Sequence, residues 1–300
     1  MSAQATEKSF DIGGDIELDL TGYDMDSGSH FGHGGRVKLS FTGKAENNGY
    51  FVKGVAQPLV PLNEGGDDIG YDDVFLQFGS SAWDIQLGRF EGINLFPAGK
   101  DTLVMHAGGV STYEANKARG RKDDVLHAAL NVGASDAMKF QLGVMAKKDG
   151  DTSVTGVRPA MTYSMGNVNF HAGYDSFDDE RDNTKYTGFG VGAGLGLGGG
   201  NMNASIAKGT KDDNGMEHDI TSAAVNYTMG PWGVGYIHST EDAAGGDDPQ
   251  VNTLYGAYTV PLFGIQDASM TFAASTSKAK NVATSDDTVN AVRLRFNYAF

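Results

Sequence analysis

The stretch Gly188-Phe189-Gly190-Val191-Gly192-Ala193-Gly194 has the spacing of a phosphate-cradling glycine loop. That chemistry needs a helix N-terminus directly after the glycines, so that backbone N–H groups converge on the anion. Here the alternation runs on through Leu195, Gly196 and Leu197, and the glycines read as one face of a strand. Acyl-transfer chemistry would need Ser, His and Asp brought together as nucleophile, base and orienting group. All three types are present, no spacing groups them, and the chain does not read as an enzyme. Among His30, His33, His106, His127, His171, His218 and His238, only the first two are close in sequence, which makes no metal set. Acidic runs at Asp67-Asp68, Asp72-Asp73, Asp178-Asp179-Glu180, Asp212-Asp213, Asp247-Asp248 and Asp286-Asp287 offer hard oxygen ligands for loop-bound Ca²⁺ or Mg²⁺. None has the spacing of a Ca²⁺ loop, so solvated, mutually repelling charge is the better reading and no cofactor is expected.

Charge and composition narrow the classes. Against 23 basic side chains stand 38 acidic ones, a net charge of −15, which argues against nucleic acid as a partner. Cysteine is absent, removing disulfides and thiolate sites together. Glycine, 43 of 300 residues, is about twice its usual share, whereas proline is only 7. A mean hydropathy of −0.31 and the lack of a long apolar run exclude membrane helices. They do not exclude a membrane barrel, whose apolar band occupies every second residue. The polar start Met1–Phe10 carries no intact signal peptide. Ala3-Gln4-Ala5 fits the small-x-small pattern before a signal cleavage site, so the expectation is an exported chain whose signal peptide is not part of it.

The elements that must carry these residues show period two. Phe10, Ile12, Ile16, Leu18 and Leu20 alternate with Asp11, Asp15, Glu17 and Asp19. Val37, Leu39 and Phe41 alternate with Arg36, Lys38 and Ser40, and Val292, Leu294, Phe296, Tyr298 and Phe300 with Arg293, Arg295 and Asn297. A helix would scatter those charges around its circumference; a strand places them on one face. About sixteen such segments follow one another, among them 9–23, 35–45, 122–132, 184–197, 201–208 and 217–228. Short links alternate with longer acidic ones: Asp24–Gly34, Asp149–Thr155, Ser176–Asn183, Gly209–Met216, Asp242–Gln250 and Ala279–Asp287. Short turns at one rim and long loops at the other are the pattern of an outer-membrane barrel. Trp83 and Trp232 each follow a short link, as an interfacial girdle requires. The fold expected is all-β: one antiparallel transmembrane β-barrel of about sixteen strands over residues 1–300. A soluble sandwich and a barrel adhesion protein are the rivals.

In this light the chain resembles a Gram-negative outer-membrane porin. The last strand ends in the aromatics Tyr298 and Phe300, where that class carries its assembly signal. Leu87-Gly88-Arg89-Phe90 closes the fifth strand, and the long loop 91–120 follows at the place of the third external loop of porins. Tyr50-Phe51-Val52-Lys53-Gly54, with Gly88-Arg89-Phe90, is most similar to the sugar-specific glycoporins of the raffinose and cyclodextrin type. The resemblance implies a constriction loop folded inward and passive diffusion of small hydrophilic solutes, oligosaccharides first. A general, weakly cation-selective porin is the alternative. Partners implied are outer-membrane lipid, lipopolysaccharide and the solutes, with a homotrimer or a monomer as the particle.

Functional residues of a pore are those facing its lumen. The alternation turns Arg36, Lys38, Lys53, Arg158, Arg293 and Arg295 inward, and Arg89, Arg119 and Arg121 flank the long loop. Glu91, Asp101 and Glu114 on that loop are expected to oppose them and set a transverse field; the plain alternative is a solvated wall. Phe51, Phe75 and Tyr255 face inward, and Tyr113 lies on the loop, as candidates to stack on sugar rings or else to pack under the loop. The glycine face of 188–197 either widens the pore or gives the inserted loop a flat wall, and the second is favoured.

Overall fold

The computed structural model describes residues 6–62, 69–133, 135–242 and 247–300. Sixteen strands follow in order. They are β1 (Glu7–Met25), β2 (Gly28–Asn47), β3 (Tyr50–Pro61), β4 (Gly70–Ser80), β5 (Trp83–Arg89), β6 (Leu126–Gly133), β7 (Met138–Asp149) and β8 (Thr152–Met165). The second half comprises β9 (Val168–Asp179), β10 (Thr184–Leu197), β11 (Gly200–Asp213), β12 (Met216–Met229), β13 (Trp232–Glu241), β14 (Gln250–Pro261), β15 (Ala268–Lys280) and β16 (Thr288–Ala299). Each pairs antiparallel with its neighbours in sequence, and β1 pairs with β16, so the sheet closes into one barrel. Closure leaves no sheet edge in hydrocarbon, where an unpaired N–H or C=O costs several kcal/mol.

The alternation sorts the side chains as expected. Along β14, Val251, Thr253, Tyr255 and Ala257 are buried inside while Leu254 is 56% exposed outside. Leu142, Val191 and Phe272 likewise stand out on the outer face. Trp232 packs on Tyr258 with ring centroids 4.1 Å apart, close to the turn at 230–231, and Trp83 opens β5 at the same rim. At the seam, the Phe300 amide donates to the Gly14 carbonyl and the Gly14 amide to the Phe300 carbonyl, each at 2.9 Å. The Phe300 ring lies over Gly14, leaving 2.9 Å where a Cβ would sit.

Three of the connections expected to be long loops are instead two-residue turns. β1 runs to Met25 and β2 starts at Gly28, so most of 24–34 is strand, with the Tyr23 ring stacked on His30 at 4.7 Å. The same holds at 150–151 and 214–215, the latter an Asn-Gly pair with φ of 54° and 84° that suits a tight hairpin. Backbone pairing continues past the apolar band, whereas the hydropathy pattern stops with it.

Candidate functional site

The connection between β5 and β6 does not stay outside; it turns into the barrel and covers half of its wall. Glu91 pairs with Gly120, and the Gly92 amide donates to the Arg119 carbonyl at 2.8 Å, pinning the two ends together. An outgoing pass runs from there to Ala107 and a return pass from Gly108 to Arg119. Chain inside a barrel must have its backbone polar groups satisfied. Inward side chains of the wall do this. On the outgoing pass, Ile93 N donates to Gln141 Oε1 at 2.8 Å and Ala107 N to Ser277 Oγ at 2.9 Å. The carbonyls of Leu95, Pro97 and Ala98 accept from His171, Asn226 and Tyr255. On the return pass, Ser111 N donates to Glu241 and Tyr113 N to Ser222.

Asp175 is the strongest strap. Its carboxylate accepts from Lys117 N at 2.7 Å and Ala118 N at 2.8 Å, and the Tyr113 hydroxyl lies at 3.5 Å. Arg158 stands 3.9 Å away and donates to the Ala115 carbonyl and to Asn116 Oδ1. Both side chains are essentially buried.

The glycine face of β10 is the bed of this loop. A Cβ on Gly188 would come within 2.7 Å of the Tyr113 ring, and one on Gly190 within 2.9 Å of Ala115. Gly209 on β11 and Gly173 on β9 meet Tyr113 and Leu95 as closely. Leu95, Phe96, Tyr113 and Ala115 thereby form a core with Ala160, Ala207, Ile220, Ala224, Ile237 and Tyr255. The flat-wall reading of the glycines is the one the geometry supports.

Across the remaining passage, on β16, β1, β2 and β4, charges alternate in one continuous belt. Arg293 and Arg295 both reach Asp101 on the loop, at 2.5 and 3.3 Å. Arg295 also holds Asp19 at 2.6 Å and Glu17 at 3.3 Å, and Arg36 holds Glu17 and Asp15. Lys38 links Asp15 to Asp72; Arg121 links Asp72 to Asp73 and Glu91; Arg119 ends the chain on Glu91 at 3.2 Å. Six cations meet seven carboxylates, so the belt carries one net negative charge. This differs from the transverse field expected from opposed charges. Of the loop acids expected to oppose these cations, Asp101 and Glu91 do meet them, but in direct ion pairs, and the acids of β1 stand beside the basic residues of β2 and β16.

The other sequence-predicted residues divide by position. Arg158 faces inward but is 1% exposed behind the loop, so it anchors the loop and does not line the passage. Tyr113 and Tyr255, at 0% and 3%, are buried under the loop, where no solute ring can stack on them. Phe75 is partly exposed, edge-on to Phe90 at 5.9 Å, with Lys53 Nζ 5.6 Å above its ring. Phe51 lies near the short-turn rim beside Lys44, away from the loop. Arg89 clamps the loop's base by donating to the carbonyls of Tyr71, Asp72 and Arg121. Glu114 lines a cleft between the two passes of the loop, where burial pushes its carboxyl above the usual range against the pull of Lys117 and Arg119. Asp67 and Asp68 lie outside the described residues. Asp175, Ser222, Asn226 and Ser277 were not singled out from sequence; their only signal is a polar residue at an inward position of an otherwise apolar strand.

Comparisons with known proteins agree with this architecture. Residues 24–154, a little under half of the chain, match the family model described as porin-like glycoporin RafY. A search of curated proteins finds no match. Among solved structures, in-vitro folded OmpT, an outer-membrane protein of Vibrio cholerae, superposes with a TM-score of 0.74 at 12% identity, covering 100% of both chains. Salmonella typhi OmpF, in a complex with daunomycin, gives 0.73 at 14% identity over 97% of each chain. A mutant of Rh. blastica porin gives 0.60 at 14%, covering 97% of this chain and 100% of the other. The chain thus shares its barrel along its whole length with solved outer-membrane barrels, Rh. blastica porin among them, and residues 24–154 are similar to the glycoporin family model.

Proposed function

We propose that the pore passes hydroxyl-rich solutes of oligosaccharide size by passive diffusion. The belt is the observation that carries this reading. An eyelet with positive charge on one side and negative on the other maintains a field across the pore, which orders water and holds back neutral solutes. In an alternating belt the field of each ion is cancelled by neighbours within about 4 Å, while strong donors and acceptors remain at hydrogen-bonding spacing. A sugar hydroxyl donates and accepts at once, and it can exchange partners step by step along such a belt. Phe75, with Lys53 above it, remains the one predicted aromatic near the loop that is open to a sugar face.

Planar-bilayer recording tests the reading. Neutral tri- or larger oligosaccharides should transiently interrupt the ion current, and the interruptions should persist at about 1 M salt, where the Debye length is about 3 Å. Absence of interruptions by any neutral oligosaccharide would leave a general porin. The net charge of −15 favours a mild cation preference in either case, one that fades as salt rises. A homotrimer is the assembly proposed, since one of the superposing structures is described as the trimer form of OmpT. Lipid and lipopolysaccharide are proposed as the surroundings of its outer face.

A further inference from the structure

One carboxylate of the inserted loop, that of Glu114, has no hydrogen-bond or ion-pair partner among the described residues. The cleft between the two passes of the constriction loop, about 380 Å³ in volume, is lined by Glu91, Asn94, Glu114, Asn116 and Arg119, with Phe96 and Ile237 among its apolar walls. Most of its polar atoms are committed. Asn116 Oδ1 accepts from Leu95 N and Arg158, and Asn116 Nδ2 donates to Asn94 Oδ1 at 2.9 Å. Arg119 donates to the Gly92 carbonyl at 3.0 Å and pairs with Glu91 at 3.2 Å. Lys117, the other nearby cation, holds its Nζ 4.4 Å over the Tyr186 ring. Lys117 and Arg119 act on Glu114 only through space, and among the described residues its carboxylate forms neither a hydrogen bond nor an ion pair.

A half-buried carboxylate left in this state is unfavourable, and a cation brought to it recovers much of the loss. Glu91 and Arg119 belong to the belt as well as to the cleft, so the cleft is continuous with the solute path. Asn94 lines the same cleft as Glu114, and among the described residues its Oδ1 is bonded while its Nδ2 is not. The site therefore asks for a solute with an ammonium group next to hydroxyls. We propose that this cleft is a subsite for amino sugars, in which Glu114 receives the protonated amine and Asn94 and Glu91 hold adjacent hydroxyls. The proposal rests on the oligosaccharide reading and narrows it to a cationic class.

The test compares two probes of equal length, a glucosamine trisaccharide with free protonated amines and its fully N-acetylated form, by single-channel current interruption at about 0.15 M salt. The free-amine sugar should stay about ten- to a hundredfold longer, the range of one hydrogen bond to a charged group. Glu114→Gln, checked for folding by heat-modifiable mobility, should remove that difference. Equal residence of the two sugars in the unmodified protein, or an undiminished difference in Glu114→Gln, overturns the subsite. The oligosaccharide reading survives that result as long as the acetylated sugar interrupts the current. If neither sugar does so while ions still flow, both fall.

Discussion

Replacing Asp175 by Ala should release the constriction loop. Two backbone amides, of Lys117 and Ala118, lose acceptors at 2.7 and 2.8 Å, and the Arg158 guanidinium is left buried without its carboxylate. Removing one partner of a buried ion pair costs about 3–5 kcal/mol, and part of the two stranded amides' penalty falls within that figure because water can enter as the strap opens. The loop's attachment, not the barrel's ladder, should give way, since the sixteen strand pairings do not involve this carboxylate. At about 1.4 kcal/mol per factor of ten, the population of a detached loop rises roughly a hundredfold to a few thousandfold.

Two assays read this: higher and noisier single-channel conductance, and protease cleavage between residues 91 and 120 of the folded barrel. The double replacement Asp175→Leu with Arg158→Met controls for charge. It removes both ions, and an apolar pair of similar size is far less costly than one stranded charge. It should therefore restore much of the quiet conductance. Wild-type conductance and protease resistance in Asp175→Ala would refute the strap, as would a double variant no better than the single one.

Four further outcomes follow from the same geometry. Gly190→Val forces a side chain to within 2.9 Å of Ala115 and should loosen the loop by about 1–3 kcal/mol of overpacking. Gly32→Val, an inward glycine of β2 with nothing within 4 Å, should leave conductance unchanged; equal behaviour of the pair would refute the glycine bed. Leu142→Arg on the lipid face should lower folding stability by up to about 2–4 kcal/mol in urea titrations, whereas Ser40→Arg on the wet wall should be tolerated. Deleting Phe300 removes its paired amide and carbonyl at the seam and should reduce the yield of heat-modifiable barrel; normal yield would argue against its assembly role. Arg293→Ala should raise cation selectivity, measured as reversal potential below about 0.1 M salt, because Asp101 loses one of its two cations.

The barrel was legible because period two is imposed by a single physical boundary, lipid outside and water inside. That boundary acts on each strand independently, so β16 could be read from Val292 to Phe300 with no knowledge of its neighbours. The same fact explains the error at 24–34. Beyond the hydrocarbon both faces of a hairpin are wet, and Ser29, His30 and His33 can occupy strand positions without producing alternation. Inwardness was legible too, for Arg158, Tyr113 and Tyr255 do point into the barrel or lie on its loop. What alternation cannot report is a second layer. Whether an inward side chain meets water or a folded-in segment depends on contacts more than 40 residues away in sequence, such as Arg158 with Ala115 and Tyr255 with Ala98.

Inward composition, taken strand by strand, does carry that missing information. β9 to β15 present Gly173, Gly190, Ser205, Ser222, Asn226, Thr253 and Ser277 inward, small or uncharged groups that can be buried once the loop supplies their hydrogen bonds. β16, β1 and β2 present Arg293, Arg295, Asp15, Glu17, Asp19, Arg36 and Lys38, which burial under an apolar loop would penalise heavily. The loop therefore has one wall it can lie on and one it cannot, and the open passage must run along the charged side. Arg158, Asp175 and Glu241 are exceptions on the covered half, and there wall charges are matched to loop backbone directly. A division between chargeless and charged inward faces thus locates the inserted loop and the solute path, information that alternation within any single strand does not contain.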